Sequence, residues 1–93
     1  MDISLRDTLR IRPDVVFRQL DDEAVLLDLK SGTYFGLNTV GTRVWQLLGE
    51  QAALSNVLDT LAGEYDDVTR DELERDLLSL SQELCTRGLT EIT

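Results

Sequence analysis

The apolar residues of the chain change rhythm once. From Ala24 to Leu37 they come in short runs whose members point to two faces in turn, and from Val40 to Leu84 they recur every three or four. The first rhythm belongs to a pleated strand, whose side chains point to two faces in turn. The second belongs to helices that bury one face.

Taken in order, residues 1–13 place Arg6, Arg10 and Arg12 between Ile3, Leu5, Leu9 and Ile11. They read as an irregular arm. Pro13 sets up an extended segment, and Val15, Val16 and Phe17 favour a strand over about 15–20. Asp21-Asp22-Glu23 reads as a turn. A calcium loop would need spaced oxygen ligands, which these three adjacent carboxylates lack. A second strand over 24–29 sends Val25, Leu27 and Leu29 one way and Ala24, Leu26 and Asp28 the other. Lys30-Ser31-Gly32 turns the chain, with Gly32 supplying a positive φ. A third strand over 33–37 puts Thr33, Phe35 and Leu37 on one face and Tyr34 and Gly36 on the other. Every connection is too short for a crossover, so the three strands form an antiparallel meander.

Three helices follow. The first, over about 40–48, carries the stripe Val40, Val44, Leu47 and Leu48, with Trp45 at its flank as a core residue and Gly49 as its stop. The second, over about 55–64, carries Leu54, Val57, Leu58, Leu61, Ala62 and Tyr65, with Ser55 as its cap. The third opens on a capping box of Thr69 and Glu72. Arg87 suits its negative end, and Gly88 stops it. Leu73, Leu77, Leu80 and Leu84 fall within about 60° of one another and form its core seam. A second shoulder holds Arg70, Glu74, Leu78, Ser81 and Cys85. Its apolar members need a cover: the sheet, the tail around Leu89–Ile92, or a partner. The expected fold class is α+β, in a single domain of arm (1–13), sheet (14–37) and helices (38–90).

Composition narrows the function. The net charge is −9, which argues against nucleic acid and an anionic membrane surface. The third helix bears Asp71, Glu72, Glu74, Asp76 and Glu83 against Arg70, Arg75 and Arg87, a surface that would repel phosphate. There is no histidine, so the commonest general base and metal ligand is missing. The lone Cys85 can form neither an internal disulfide, nor a zinc site, nor a Cys-His pair. The six glycines match no phosphate loop. Ser79 lies mid-helix without a preceding Asp, unlike the site of an acyl carrier protein. The chain is therefore expected to be no enzyme, to hold no cofactor or metal, and to work in the cytoplasm, since no signal-peptide pattern or membrane-length apolar run is visible.

What remains is binding. The strand 33–37 has no Lys, Pro or charge to guard an edge. An incoming peptide could pair with it by β-augmentation. About four backbone bonds at roughly 1 kcal/mol each, with two or three apolar side chains at about 2 kcal/mol each, offset association and ordering costs to leave roughly micromolar affinity. Homodimerisation through the same strand is the alternative.

The runs Val25-Leu26-Leu27-Asp28-Leu29, Ser31-Gly32-Thr33-Tyr34-Phe35-Gly36-Leu37-Asn38, Gly41, Val44-Trp45, Tyr65, Asp76-Leu77-Leu78, Leu84 and Gly88-Leu89 together resemble the PqqD-like proteins. The resemblance spans about residues 14–90. It implies a winged-helix-like fold, a three-stranded antiparallel sheet on three helices. It also implies a recognition element for ribosomally synthesised, post-translationally modified peptides (RiPPs). Such an element binds a precursor's leader as an added strand beside strand three, against helix three, and presents it to a maturation enzyme. Carried over, the ladder is Thr33, Tyr34, Phe35, Gly36 and Leu37; the helical wheel nominates Arg70, Glu74, Leu78, Ser81 and Cys85 as the wall. The aromatic pair with Leu37-Asn38 is most similar to stand-alone leader-binding proteins of lasso-peptide biosynthesis, whose partners are a leader peptidase and a cyclase. A pyrroloquinoline-quinone-type chaperone would serve a radical SAM enzyme instead. The acidic surface would suit a leader carrying Lys or Arg.

Overall fold

The computed structural model describes residues 3–93. Met1 and Asp2, the start of the expected arm, lie outside the described residues. The elements in order are β1 (Leu9–Ile11), β2 (Val15–Leu20), β3 (Glu23–Asp28), β4 (Thr33–Leu37), α1 (Thr39–Glu50), α2 (Leu54–Glu64), α3 (Arg70–Thr86) and β5 (Thr90–Ile92). The fold class is α+β, as expected.

The meander forms as its short connections require. β2, β3 and β4 pair antiparallel in that order, with Phe17 opposite Leu26 and Leu26 opposite Phe35. Asp21 takes a positive φ of 59° in the first hairpin, a conformation that Asp tolerates better than most residues. Glu23 joins β3 rather than the turn, pairing with Leu20, and Leu29 leaves the strand for the second turn. Gly32 supplies its positive φ of 72° there. Asp28 fastens this turn by accepting from the Lys30 backbone N–H and the Ser31 hydroxyl. Those bonds hold its carboxyl below the usual range. The core face of the sheet is the Ala24 and Leu26 side, both buried.

The three helical stripes meet beneath that face. Leu54, Val57, Leu58 and Leu61 of α2 are fully buried, as are Val44 and Leu47 of α1 and Leu77 and Leu84 of α3. Trp45 is a core residue, 5% exposed. The seam of α3 holds except at Leu80, which stays half-buried while Ser81 is fully enclosed. Thr69 Oγ1 accepts from the Glu72 backbone N–H at 3.2 Å, the first half of the capping box. Gly88 ends α3 at φ 75°.

The arm is a structural correction. Its end is a strand: β1 pairs antiparallel with β5, Leu9 opposite Ile92 and Ile11 opposite Thr90. The sequence gives little hint of this, because three-residue strands carry almost no period and these lie at opposite ends of the chain. The same arm fastens the α1–α2 link. Leu9 N–H donates to the Ala52 carbonyl, and Leu54 N–H donates to the Asp7 carbonyl. That link explains two helix ends. α1 runs past Gly49 to Glu50, since Gln51 turns extended to meet the arm. α2 starts at Leu54 after Ala53, which bridges Thr8, so Ser55 is not its cap. The tail also supplies cover for the α3 shoulder, with Cys85 Sγ 3.3 Å from Thr90 Oγ1.

One polar clasp ties α1 to α2. Arg43 donates to both carboxylate oxygens of Glu64 at 2.8 and 2.7 Å, the two-pronged geometry that suits a guanidinium. That hydrogen bond holds the Glu64 carboxyl below its ordinary 4.5, against the opposing pull of partial burial. A depressed carboxyl adds stability above its unfolded-state pKa and loses it as pH falls through the folded value. Both partners are partly exposed, so the contribution is about 0.5–1 kcal/mol. Glu64→Gln should therefore cost about that much at pH 7 and progressively less as the pH falls below 4.5, measured by urea unfolding.

Candidate functional site

The sheet has two edges, β2 and β4. They differ in what stands beside them. Along β4, Leu37 is buried and anchors the strand, while Thr33, Tyr34 and Gly36 are exposed and Phe35 is half-buried. Asn38 follows at once as the N-cap of α1, its Oδ1 accepting from Gly41 N–H at 2.8 Å. The chain thus turns from strand to helix beside the free edge.

Gly41 is needed for close approach rather than for its φ. A Cβ there would sit 3.3 Å from Leu37 Cδ2 and 3.5 Å from Leu80 Cδ2. Leu37, Gly41 and Leu80 therefore form the floor where β4, α1 and α3 converge. Above it lies an open groove of about 490 Å³, lined by Tyr34, Phe35, Gly36, Leu37, Asn38, Gly41, Leu80, Glu83 and Arg87. It continues into a second hollow of about 330 Å³ that adds Val40, Asp76 and Ser79. The far end of the groove is marked by Arg87, whose guanidinium lies 5.1 Å from the Phe35 ring centroid. Its Nε is 3.6 Å from Glu83.

The ladder residues 33–37 all belong to this edge strand, and four of them line the groove. The nominated wall does not. Arg70 pairs with Asp59 of α2. Ser81 is fully enclosed, its hydroxyl without a hydrogen-bond partner among the described residues. Leu78 packs on the core, and Cys85 lies against Thr90 of β5. Glu74 is half-buried and absent from the groove. The α3 face toward β4 is instead Leu80, Glu83 and Arg87, spaced i, i+3, i+7. The wheel groups residues by angle and names no neighbour for each side; the shoulder it nominates is taken up by α2 and β5. The one available signal was Leu80, a seam leucine flanked by polar residues on its groove side.

The opposite face of the sheet is apolar too. Val16, Leu20 and Tyr34 are exposed there around Val25 and Leu27. Among the described residues no group of acidic or cysteine side chains could hold a metal, and no helix is long and apolar enough to cross a membrane.

A small α+β domain with an unguarded edge strand facing a helix is the architecture of a peptide-binding module. The model of the PqqD family, described as coenzyme PQQ synthesis protein D, matches residues 23–89. The chain belongs to that family. Two solved structures resemble it closely. One is TbiB1 in complex with the TbiA(beta) leader peptide, at 43% identity and TM-score 0.81, covering 88% of this chain and 94% of that one. The other is a lasso peptide synthetase B1 complexed with the leader peptide, at 33% identity and TM-score 0.78, covering 90% and 98%. No curated protein matches the chain.

Because the Arg87 guanidinium and the Phe35 ring both reach solvent, their contact is worth about 0.5–1 kcal/mol. Arg87→Gln should lower stability in urea by no more than about that and leave the circular dichroism spectrum unchanged.

Proposed function

We propose that this chain binds the leader segment of a ribosomally synthesised precursor peptide as an added strand on β4, within the groove against α3, and presents it to maturation enzymes. The observation that carries the reading is the free edge of β4 beside a groove floored by Leu37, Gly41 and Leu80. The edge supplies N–H and C=O groups to any peptide sequence, and the groove selects its alternate side chains. Both similar structures hold a leader peptide. The chain covers nearly the whole of each, so the likeness is not that of a fragment.

The lasso-peptide type is favoured, because one of those structures is a lasso peptide synthetase B1. The partners would then be a leader peptidase and a cyclase. The family's quinone-type members, with a radical SAM enzyme as partner, are the second reading. The chain's own role is non-catalytic: it lacks histidine, and its single thiol is half-covered by β5. A cytoplasmic setting fits the free Cys85.

The test is fluorescence anisotropy with the labelled leader of the precursor encoded beside this chain's gene. Binding should be micromolar or tighter. Leu80→Glu puts a charge on the groove floor and should weaken it more than tenfold. Arg70→Gln and Glu74→Gln should leave it within twofold. Loss of binding with Arg70→Gln or Glu74→Gln but not with Leu80→Glu would move the site off this groove. No binding by the unaltered chain would end the leader-binding reading.

A further inference from the structure

The groove is uneven in charge. Of its lining residues Arg87 is the one cation, and it stands over Phe35, the middle residue of β4. Glu83 stands beside it, and toward the Leu37 end, further along α3, the charged side chain is Asp76. Arg87 is also held ready. Phe35 supports one face of its guanidinium, and Glu83 stands at Nε. The ion pair with Glu83 is long at 3.6 Å, and the Arg87 side chain is 55% exposed. Among the described residues its terminal nitrogens make no side-chain hydrogen bond, so they are open to a ligand.

We propose that Arg87 is a specificity-determining residue that accepts an Asp or Glu side chain of the bound peptide opposite the Thr33–Phe35 half of β4. The inference rests on the leader-binding reading and names what that site selects. Three facts converge on a carboxylate. The guanidinium fork is planar and lies over the Phe35 ring, and its paired N–H groups suit two parallel N–H···O bonds. Arg87 lines the groove with its side chain 55% exposed, so its donors are within reach of a bound peptide. The surroundings are acidic, with Glu83 alongside and a net charge of −9 over the chain. An unpaired peptide carboxylate would be repelled anywhere else along this groove, so one cation gives a sharp positional preference. At the Leu37 end, Asp76 favours a neutral or basic residue. The groove thereby reads charge position along the peptide as well as apolar pockets.

The test is a charge-swap cycle in the same anisotropy assay. The probe is the leader of the precursor encoded beside this chain's gene, with each Asp and Glu changed singly to Asn or Gln. One position should stand out, its amide weakening binding about 5- to 10-fold, the range for a partly exposed bidentate pair. Arg87→Gln should weaken the unaltered leader equally and the amide leader no further. Arg87→Glu should bind poorly and recover with Lys at that one position, which a merely structural role for Arg87 would not produce. Equal losses for every peptide, or no loss, would overturn the proposal. If binding survives Arg87→Gln yet falls with Leu80→Glu, leader binding stands and the Arg87 assignment falls. If the unaltered chain binds no leader, both fall.

Discussion

The groove exists because Leu37, Gly41 and Leu80 meet in a contact where an added Cβ at Gly41 would crowd Leu37 at 3.3 Å. Leu37 is buried and pins the end of β4. Gly41 lets α1 start within van der Waals reach of both leucines. Asn38 caps α1 in the same turn of chain. These contacts fix where α3 passes the strand. They hold it close enough to wall a slot yet leave the outer hydrogen-bonding edge of β4 unpaired. A bulkier residue at Gly41 would raise the floor, and a polar one at Leu37 would release the strand.

The remainder of the molecule holds that junction still. α2 contributes four fully buried residues and no groove lining. The arm and tail pair as β1 and β5, bind the α1–α2 link, and cover the shoulder of α3 that faces away from β4. The Arg43–Glu64 clasp ties α1 to α2 on the outside. A chain of 93 residues has little core to spare, and here one cluster joins the sheet to all three helices.

Much of this was legible in the sequence, for local reasons. Alternation over β3 and β4, and the three- and four-residue spacing in the helices, are direct signatures of burial on one face. Gly32 and Gly88 sit where a positive φ is needed, and Thr69 caps α3. Non-local features were not legible. β1 and β5 pair across almost the whole chain, and neither is long enough to show a period. Gly49 and Ser55 carried ordinary stop and cap signals, but the arm's hydrogen bonds to Ala52 and Leu54 set those helix ends. The wall of the groove failed for a related reason. A helical wheel sorts Arg70, Glu74, Leu78, Ser81 and Cys85 onto one side without saying which neighbour takes that side. α2 claims Arg70 and β5 claims Cys85, which leaves Leu80, Glu83 and Arg87 to face the strand.

The central claim is that peptide adds to β4 rather than to β2, the other edge of the same sheet. Amide hydrogen exchange by nuclear magnetic resonance tests it on the unaltered chain, with and without the leader. The account predicts that the β4 amides facing the free edge slow at least tenfold on binding, while the outward amides of β2 keep their rates. Protection along Val15–Leu20 instead, or leader binding with no slowing between Thr33 and Leu37, would contradict it.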